Sequence, residues 1–337
     1  MSEPIRAAVV GSGSWGTALA MLLASKGHEV TLWSYEGEVA RSINEEHVNP
    51  YLEGITLPRS VVATTDLGGA VAGAPLVVSV SPSQFVGPVM AEAAPFIEAD
   101  ATLVSASKGI ELSTLRRMDE VLGGIVSAEL MSRLCVLSGP SFAVEVARGE
   151  PTAVVVASAS TSAREDVQGW FQTDTFRVYT SSDVVGVELG GALKNVVALA
   201  AGMAAGLGYG HNTMAAIITR GLAEMARLGV AMGADASTFS GLAGMGDLVL
   251  TCTGSLSRNR NVGVRLGKGE TLEEILGEMS AVAEGVKTAE AVRTLAGRHG
   301  VEMPIVEQVY AILHEGAEPA AALRALMTRD PKPEIWG

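Results

Sequence analysis

The chain has 337 residues, with 24 Lys and Arg against 37 Asp and Glu, for a formal charge of −13. Hydrophobic residues make up 48% and charged residues 18%, which excludes a disordered chain, since disorder needs low hydrophobicity and many charges. The length provides for about two domains with ample core, and the acidic balance argues against non-specific nucleic-acid binding.

In chain order, short β-branched runs at 5–10, 30–33, 76–80, 102–105, 135–138 and 153–156 predict strands. Several are apolar throughout, as strands buried on both faces are. Helical stretches separate them, so residues 1–187 are expected to form βαβ units around a mostly parallel, doubly wound sheet. Asn49 and Pro50, in the run from His47 to Tyr51, read as a surface loop. After about Glu188 the strand pattern ends. Met214, Ile217, Ile218, Leu222, Met225 and Leu228 recur on one helix face. Ile305, Val306, Val309, Ile312 and Leu313 do the same behind Pro304, a residue suited to a helix start. Residues 188–337 are expected to be all helical. No run of about 18 apolar residues lacks polar interruption, so no membrane span is expected. The first residues show no basic stretch followed by an apolar one, so no secretory signal is expected. The cytoplasm is the default location.

Gly11, Gly13 and Gly16 form a Gly-x-Gly-x-x-Gly turn directly after the first strand, with Ser14 and Trp15 inside it. A helix is expected from 17 to about 26, with Gly27 as its C-terminal cap. Strand, turn, helix and second strand together supply the dinucleotide-binding context that the motif alone lacks. The first glycine permits the tight turn, the second lets the backbone approach a pyrophosphate, and the third lets helix and strand pack closely. The helix N-terminus offers N–H groups to the anion. A Rossmann-like N-terminal domain is therefore expected. Cofactor choice should be set just after the second strand, at Tyr35 and Glu36. Glu36 is near where an acid accepts from a ribose 2′-OH, and no Arg follows before Arg41 to pair with a 2′-phosphate. NAD is favoured over NADP; a solvated loop carboxylate is the other reading of Glu36.

The helical half carries polar residues among small ones. The run from Glu188 to Lys194 and Asn195 is expected to open its first long helix, ahead of the apolar or small residues 196–205. A lysine at the edge of such a helix either snorkels to the surface or stands in a site. Asp247 is expected on a loop. The run from Ser257 to Asn261 holds Arg258 and Arg260 beside two amides; Arg suits phosphate because its planar fork binds oxygens bidentately, and a solvated turn is the alternative. His211 reads as a loop residue. Cys252 reads as core and Cys135 as part of a buried strand; two cysteines give neither a disulfide framework nor, alone, a zinc site, and no metal is expected.

The turn at 11–20, Ser107-Lys108-Gly109, Ser138 to Ala143, Gly190 to Val196 with Lys194 and Asn195, Thr219 to Met225, Gly246-Asp247-Leu248, Ser257 to Arg260 and Val301 to Ile305 are recognisable together. They resemble the NAD(P)-dependent sn-glycerol-3-phosphate dehydrogenases of bacterial type, in that family's order and across essentially the whole chain. The resemblance implies reduction of dihydroxyacetone phosphate by NADH or NADPH to sn-glycerol 3-phosphate, a product that seeds phospholipid synthesis. It implies that Lys194 is the proton donor and acceptor. Lys108, Gly139, Ser141, Asp247, Ser257, Arg258 and Asn259 match substrate positions. Ser14, Trp15, Tyr35, Lys108, Ala143, Arg258, Val282 and Glu284 match cofactor positions. Bacterial members often carry His and Arg around positions 35 and 36, so Tyr35 and Glu36 stand nearer to NAD-preferring relatives. A homodimer is compatible with the resemblance. The competing readings are another two-domain hydroxyacid dehydrogenase with a catalytic lysine, and a nucleotide-binding module without catalysis. The arginine run and Lys108 speak against the first, and the retention of Lys194 and Asp247 against the second.

Overall fold

The computed structural model describes residues 3–279, 283–331, 333 and 334. Contacts within the chain group it into two units, one running up to Lys108 and resuming at Arg116–Val187, the other made of Gly109–Leu115 and the chain from Glu188 onward.

The first unit is an eight-stranded sheet with helices on both faces. Its strands are β1 (Arg6–Val10), β2 (Glu29–Trp33), β3 (Val61–Thr64), β4 (Leu76–Ser79), β5 (Thr102–Ser105), β6 (Cys135–Ser138), β7 (Thr152–Ala157) and β8 (Phe176–Ser181). They lie in the order β3-β2-β1-β4-β5-β6-β7-β8, all parallel to their neighbours except the antiparallel pair β6 and β7. The strand order reverses direction at β1, the place where open α/β sheets form their ligand crevice. Intervening helices are α1 (Ser14–Ser25), α2 (Gly37–Glu46), α3 (Leu67–Val71), α4 (Ser83–Ala93), α5 (Met118–Gly123), α6 (Ala128–Met131), α7 (Ala143–Ala147) and α8 (Thr161–Phe171). The two-residue period of β1 serves both faces: Ala7 and Val9 pack with α1, α2, α7 and α8, while Ala8 and Val10 pack with α3, α4, α5 and α6.

Six strands fall where the apolar runs predict them; β3 and β8 do not figure in the sequence reading. Both are the sheet's edges. In β8, Phe176 and Val178 are buried while Arg177 and Tyr179 face solvent, so it alternates instead of forming an apolar run.

The second unit is helical: α9 (Val184–Gly206), α10 (His211–Ala231), α11 (Asp247–Thr253), α12 (Arg258–Gly267), α13 (Leu272–Glu278), α14 (Glu284–His299), α15 (Pro304–His314) and α16 (Pro319–Met327). The unit division falls inside α9, which begins four residues before the Glu188 expected from the sequence. By length and mean hydropathy alone α9 would pass for a membrane span, but it carries Glu188, Lys194 and Asn195, and 83% of that window is buried inside the protein. It is a core helix. The α10 stripe is narrower than its spacing implies: Ile217, Met225 and Leu228 are buried, and Met214, Ile218 and Leu222 only half-buried.

Helices α9 and α12 touch backbone to backbone. A Cβ on Gly202 would lie 2.1 Å from the Arg260 carbonyl oxygen, and one on Gly263 2.2 Å from that of Leu199. Gly206 and Gly267 repeat the contact one turn on. Glycine at these positions lets two helix axes approach as no side chain would. The pairing sets Asn195 beside Asn259.

Candidate functional site

In the first unit the phosphate turn joins β1 to α1. Gly11 has φ +128°, and a Cβ there would lie 3.0 Å from the Ser81 backbone nitrogen. A Cβ on Gly16 would lie 1.9 Å from the Gly11 carbonyl oxygen. Gly13, the N-cap of α1, has open space where a Cβ would stand. Ser14 and Trp15 are the first residues of α1, whose opening N–H groups have no partner within the helix. An orphan-donor helix end under an open glycine fits a dinucleotide pyrophosphate. The indole Nε1 of Trp15 is buried with no hydrogen-bond partner.

Glu36 is the N-cap of α2 but gives the helix no side-chain bond. Its carboxylate instead accepts from the Tyr51 hydroxyl, at 2.9 Å to Oε1 and 2.8 Å to Oε2. Both side chains are exposed, so Glu36 is a surface carboxylate with a tyrosine partner. Tyr35 is 85% exposed and leans edge-on to Trp33. Asn49 is buried, contrary to the surface-loop expectation. Its Nδ2 donates to the Ser12 carbonyl at 2.8 Å and to Thr17 Oγ1 at 2.7 Å, and its Oδ1 accepts from the Tyr51 backbone N–H. A buried amide that satisfies three backbone and side-chain groups holds its loop against the turn.

Past β5 and β6 the chain brings Lys108, Gly139 and Ser141 together. Lys108 Nζ donates to the Gly139 carbonyl at 2.9 Å, and the Ser141 hydroxyl donates to the same oxygen at 3.0 Å. Ala143 begins α7 and packs on the core beneath.

In the second unit Lys194 lies in mid-helix on α9, covered by protein instead of standing at an edge. Its Nζ donates to Asp247 Oδ1 at 2.7 Å and to Thr251 Oγ1 at 2.8 Å. The side chains of Lys194 and Asp247 are only 8% and 1% exposed. Asp247 is the first residue of α11, not a loop residue, and Thr251 stands one turn further on, where its hydroxyl donates to the Asp247 carbonyl at 2.6 Å. Thr251 escaped the sequence reading; the i, i+4 spacing from Asp247 was the available signal. Cys252 lies beside the pair, its thiol pushed up to about 12 by burial, against the opposing charges of Lys194 and Arg260.

Ser257 caps α12 by accepting from the Arg260 N–H. Arg258 is its first helical residue and is exposed. Crowding by protein lowers the Arg258 pKa, and the nearby Glu284 carboxylate opposes this. Asn259 ties three helices: Nδ2 donates to Asn195 Oδ1 at 2.9 Å, and Oδ1 accepts from the Gly285 N–H at 2.9 Å. Glu284 opens α14. Val282, matched to the cofactor, lies outside the described residues. His211 is the exposed first residue of α10 after the extended Gly210, so it starts a helix instead of sitting in a loop. No group of three metal-ligating side chains occurs among the described residues.

The chain matches family models described as NAD-dependent glycerol-3-phosphate dehydrogenase N-terminus, over residues 6–164, and C-terminus, over residues 183–324. It is 59% identical over 327 residues to glycerol-3-phosphate dehydrogenase (NAD(P)+) of Geobacter metallireducens, covering 97% of this chain and 98% of that one. It is 56% identical over 337 residues to the enzyme of the same name from Geobacter sulfurreducens, covering all of both. The crystal structure of glycerol-3-phosphate dehydrogenase from Coxiella burnetii superposes with a TM-score of 0.92 at 40% identity, covering 97% of this chain and 99% of that one.

Proposed function

The chain belongs to the NAD-dependent glycerol-3-phosphate dehydrogenase family, and on that premise we propose how its residues divide the work. It is an NAD(P)-dependent oxidoreductase interconverting dihydroxyacetone phosphate and sn-glycerol 3-phosphate. The first unit is the dinucleotide-binding domain, and the helical unit supplies the proton chemistry.

The α1 N-terminus at Gly13, Ser14 and Trp15 holds the pyrophosphate, with Glu36 at the ribose; Tyr35, Lys108, Ala143, Arg258, Val282 and Glu284 are the further cofactor contacts assigned by matching. A reduced dinucleotide held there would supply the hydride for C2 of the substrate. Negative charge then develops on the C2 oxygen, and the Lys194 ammonium stabilises it and delivers the proton. In the oxidation direction Lys194 takes the proton back. The observation that supports this role is the buried contact of Lys194 with Asp247 and Thr251: carboxylate and hydroxyl aim the ammonium, and the carboxylate compensates its buried charge. Arg258 clamps the phosphate, joined by the N–H groups that open α12. Ser257 and Asn259 each keep one donor for it, since the Ser257 oxygen accepts from Arg260 while its O–H remains, and Asn259 commits one of two amide hydrogens. Lys108 and Ser141, drawn to the Gly139 carbonyl, are the first unit's substrate contacts.

NADH is the preferred cofactor, on the ground of Glu36 and of the absence of an Arg beside it in sequence. Supply of glycerophospholipid backbones and a cytoplasmic site of action belong to the same proposal; both cysteines are free and buried thiols, as a reducing compartment permits. A homodimer is proposed as well.

Following NADH and NADPH absorbance in parallel with dihydroxyacetone phosphate tests the function, and absence of turnover with both refutes it. Lys194→Ala is expected to lower kcat about 10²–10⁴-fold with cofactor titration unchanged, and retention of more than about a third of kcat would overturn its role. Because that variant strands a buried Asp247 carboxylate, Lys194→Ala combined with Asp247→Ala serves as the folded control.

A further inference from the structure

Beside the phosphate turn, residues 36–39, 42 and 48–55 line a cavity of about 730 Å³. Among the described residues its lining holds three carboxylates, Glu36, Glu38 and Glu53, and no lysine, arginine or histidine. Within it the Tyr51 phenol donates to both oxygens of Glu36. We propose that Tyr51 is a positioning residue for cofactor choice: it holds the Glu36 carboxylate where the 2′-hydroxyl of a dinucleotide ribose would donate to it. The inference rests on the assignment of Glu36 to that ribose.

A closed ring of hydrogen bonds carries the argument. The Ser12 hydroxyl, in the phosphate turn, donates to Ser34 Oγ at 2.7 Å, and the Ser34 hydroxyl donates to the Glu36 carbonyl at 3.0 Å. Tyr51 closes on the Glu36 carboxylate from the other side. The Tyr51 backbone N–H donates to Asn49 Oδ1, and Asn49 returns to the Ser12 carbonyl. The ribose acid is thus tied at both its backbone and its side chain to the turn that faces the pyrophosphate.

The chemistry of the ring selects against a phosphorylated ribose. A glutamate on the surface has three rotatable bonds, and holding it beforehand reduces the entropy lost when it meets a ligand. Each carboxylate oxygen has a second lone pair after Tyr51 is satisfied, so hydroxyl donors of an unsubstituted ribose are still accepted. A 2′-phosphate offers no donor and brings negative charge into a lining of three carboxylates. Tyr51 stays a donor under ordinary conditions, because the bond to Glu36, then burial, raise its pKa above the usual value. If the bond merely tethered two exposed side chains, its loss would move stability and leave cofactor affinity alone.

The test titrates NADH and NADPH by nicotinamide fluorescence into wild type, Tyr51→Phe, Glu36→Ala and the double variant, with KM and kcat measured for each. Tyr51→Phe is expected to weaken NADH about fivefold, the worth of one net hydrogen bond, and NADPH less. The loss should fall in KM for NADH and not in kcat. In the Glu36→Ala background, which leaves Tyr51 no side-chain acceptor at position 36, the same substitution should change NADH affinity by less than about twofold, because it acts through Glu36. An unchanged NADH affinity in Tyr51→Phe, or an equal loss for both cofactors in both backgrounds, would overturn the proposal. A wild type that binds NADPH more tightly than NADH refutes the NAD preference alone, and the coupling of positions 51 and 36 on NADH still decides the positioning role.

Discussion

At the scale of single residues, what separates a functional side chain here from an ordinary one is its company. Lys194 has no charged partner on the residues that follow it in α9; its carboxylate comes from α11, 53 positions away. Arg258 differs from its neighbour Arg260 in the same way. Arg258 is exposed at the first position of α12, while the Arg260 Nε is buried without a hydrogen-bond partner. Arg258→Lys keeps the charge and loses the planar fork. It is expected to raise KM for dihydroxyacetone phosphate about tenfold, the worth of one bidentate contact, with the melting temperature unchanged. Unphosphorylated dihydroxyacetone should be a very poor substrate of the wild type. Comparable turnover of the two ketones would make the arginine run a surface turn. The arginines were legible in the sequence as phosphate-suited chemistry. That Ser257 and Asn259 already spend part of their bonding on α12 and α14 was not, because their partners lie on other helices or need the cap to form.

At the scale of elements, the same polar economy holds helix ends together across the fold. Helix α15 starts at Pro304 without a side-chain cap of its own. Glu224, buried on α10, accepts from the Ile305 N–H at 2.9 Å and serves as that cap from outside. Burial pushes the Glu224 carboxyl up to about 7, against the opposing pull of the Ile305 and Val306 N–H groups, Arg227 and Arg329. A carboxyl with a folded pKa above its unfolded value contributes stability that is whole below the unfolded pKa and is lost as pH rises through the folded one. The loss therefore runs from pH 4.5 to about 7 and amounts to roughly 3 kcal/mol. Glu224→Gln keeps an acceptor for Ile305 and does not ionise. Its melting temperature relative to wild type should rise across that window and level off above it, in a thermal-shift series. Parallel curves at all pH values would show that Glu224 titrates as an exposed acid. Sequence spacing found the apolar faces of α10 and α15, yet Glu224 sits among buried residues of α10 that the stripe did not flag. Periodicity reports which face is buried and not which polar group a second helix needs there.

At the scale of the whole molecule, a chain of formal charge −13 keeps its two thiols buried in separate units. Cys135 lies in β6 and its thiol is pushed up to about 11, mainly by burial; Cys252 lies in α11. The thiolate is the reactive form, so both should resist a thiol reagent such as a disulfide dye at pH 8 in the folded protein. Both should react at once in denaturant. Fast labelling of either thiol under native conditions would show that its unit opens locally far below the cost of global unfolding.

The sequence by itself determined the class of fold, the phosphate turn and the reaction family. Apolar runs, glycine spacing and residue type are local properties of a chain, and they specify central strands, the turn after β1 and the chemistry of a lysine or an arginine. Tertiary structure alone decided the edges and the company. It placed β3 and β8, edge strands whose buried positions alternate with exposed ones, and it made α9 a core helix where composition would also allow a span. It buried Asn49 against Ser12 and Thr17, brought Tyr51 onto Glu36 and set Thr251 beside Lys194. Each of those contacts joins residues on different segments of the chain. A hydrogen bond between them exists only when packing brings both groups out of water and within 3 Å or so of each other, a condition that no window of sequence contains.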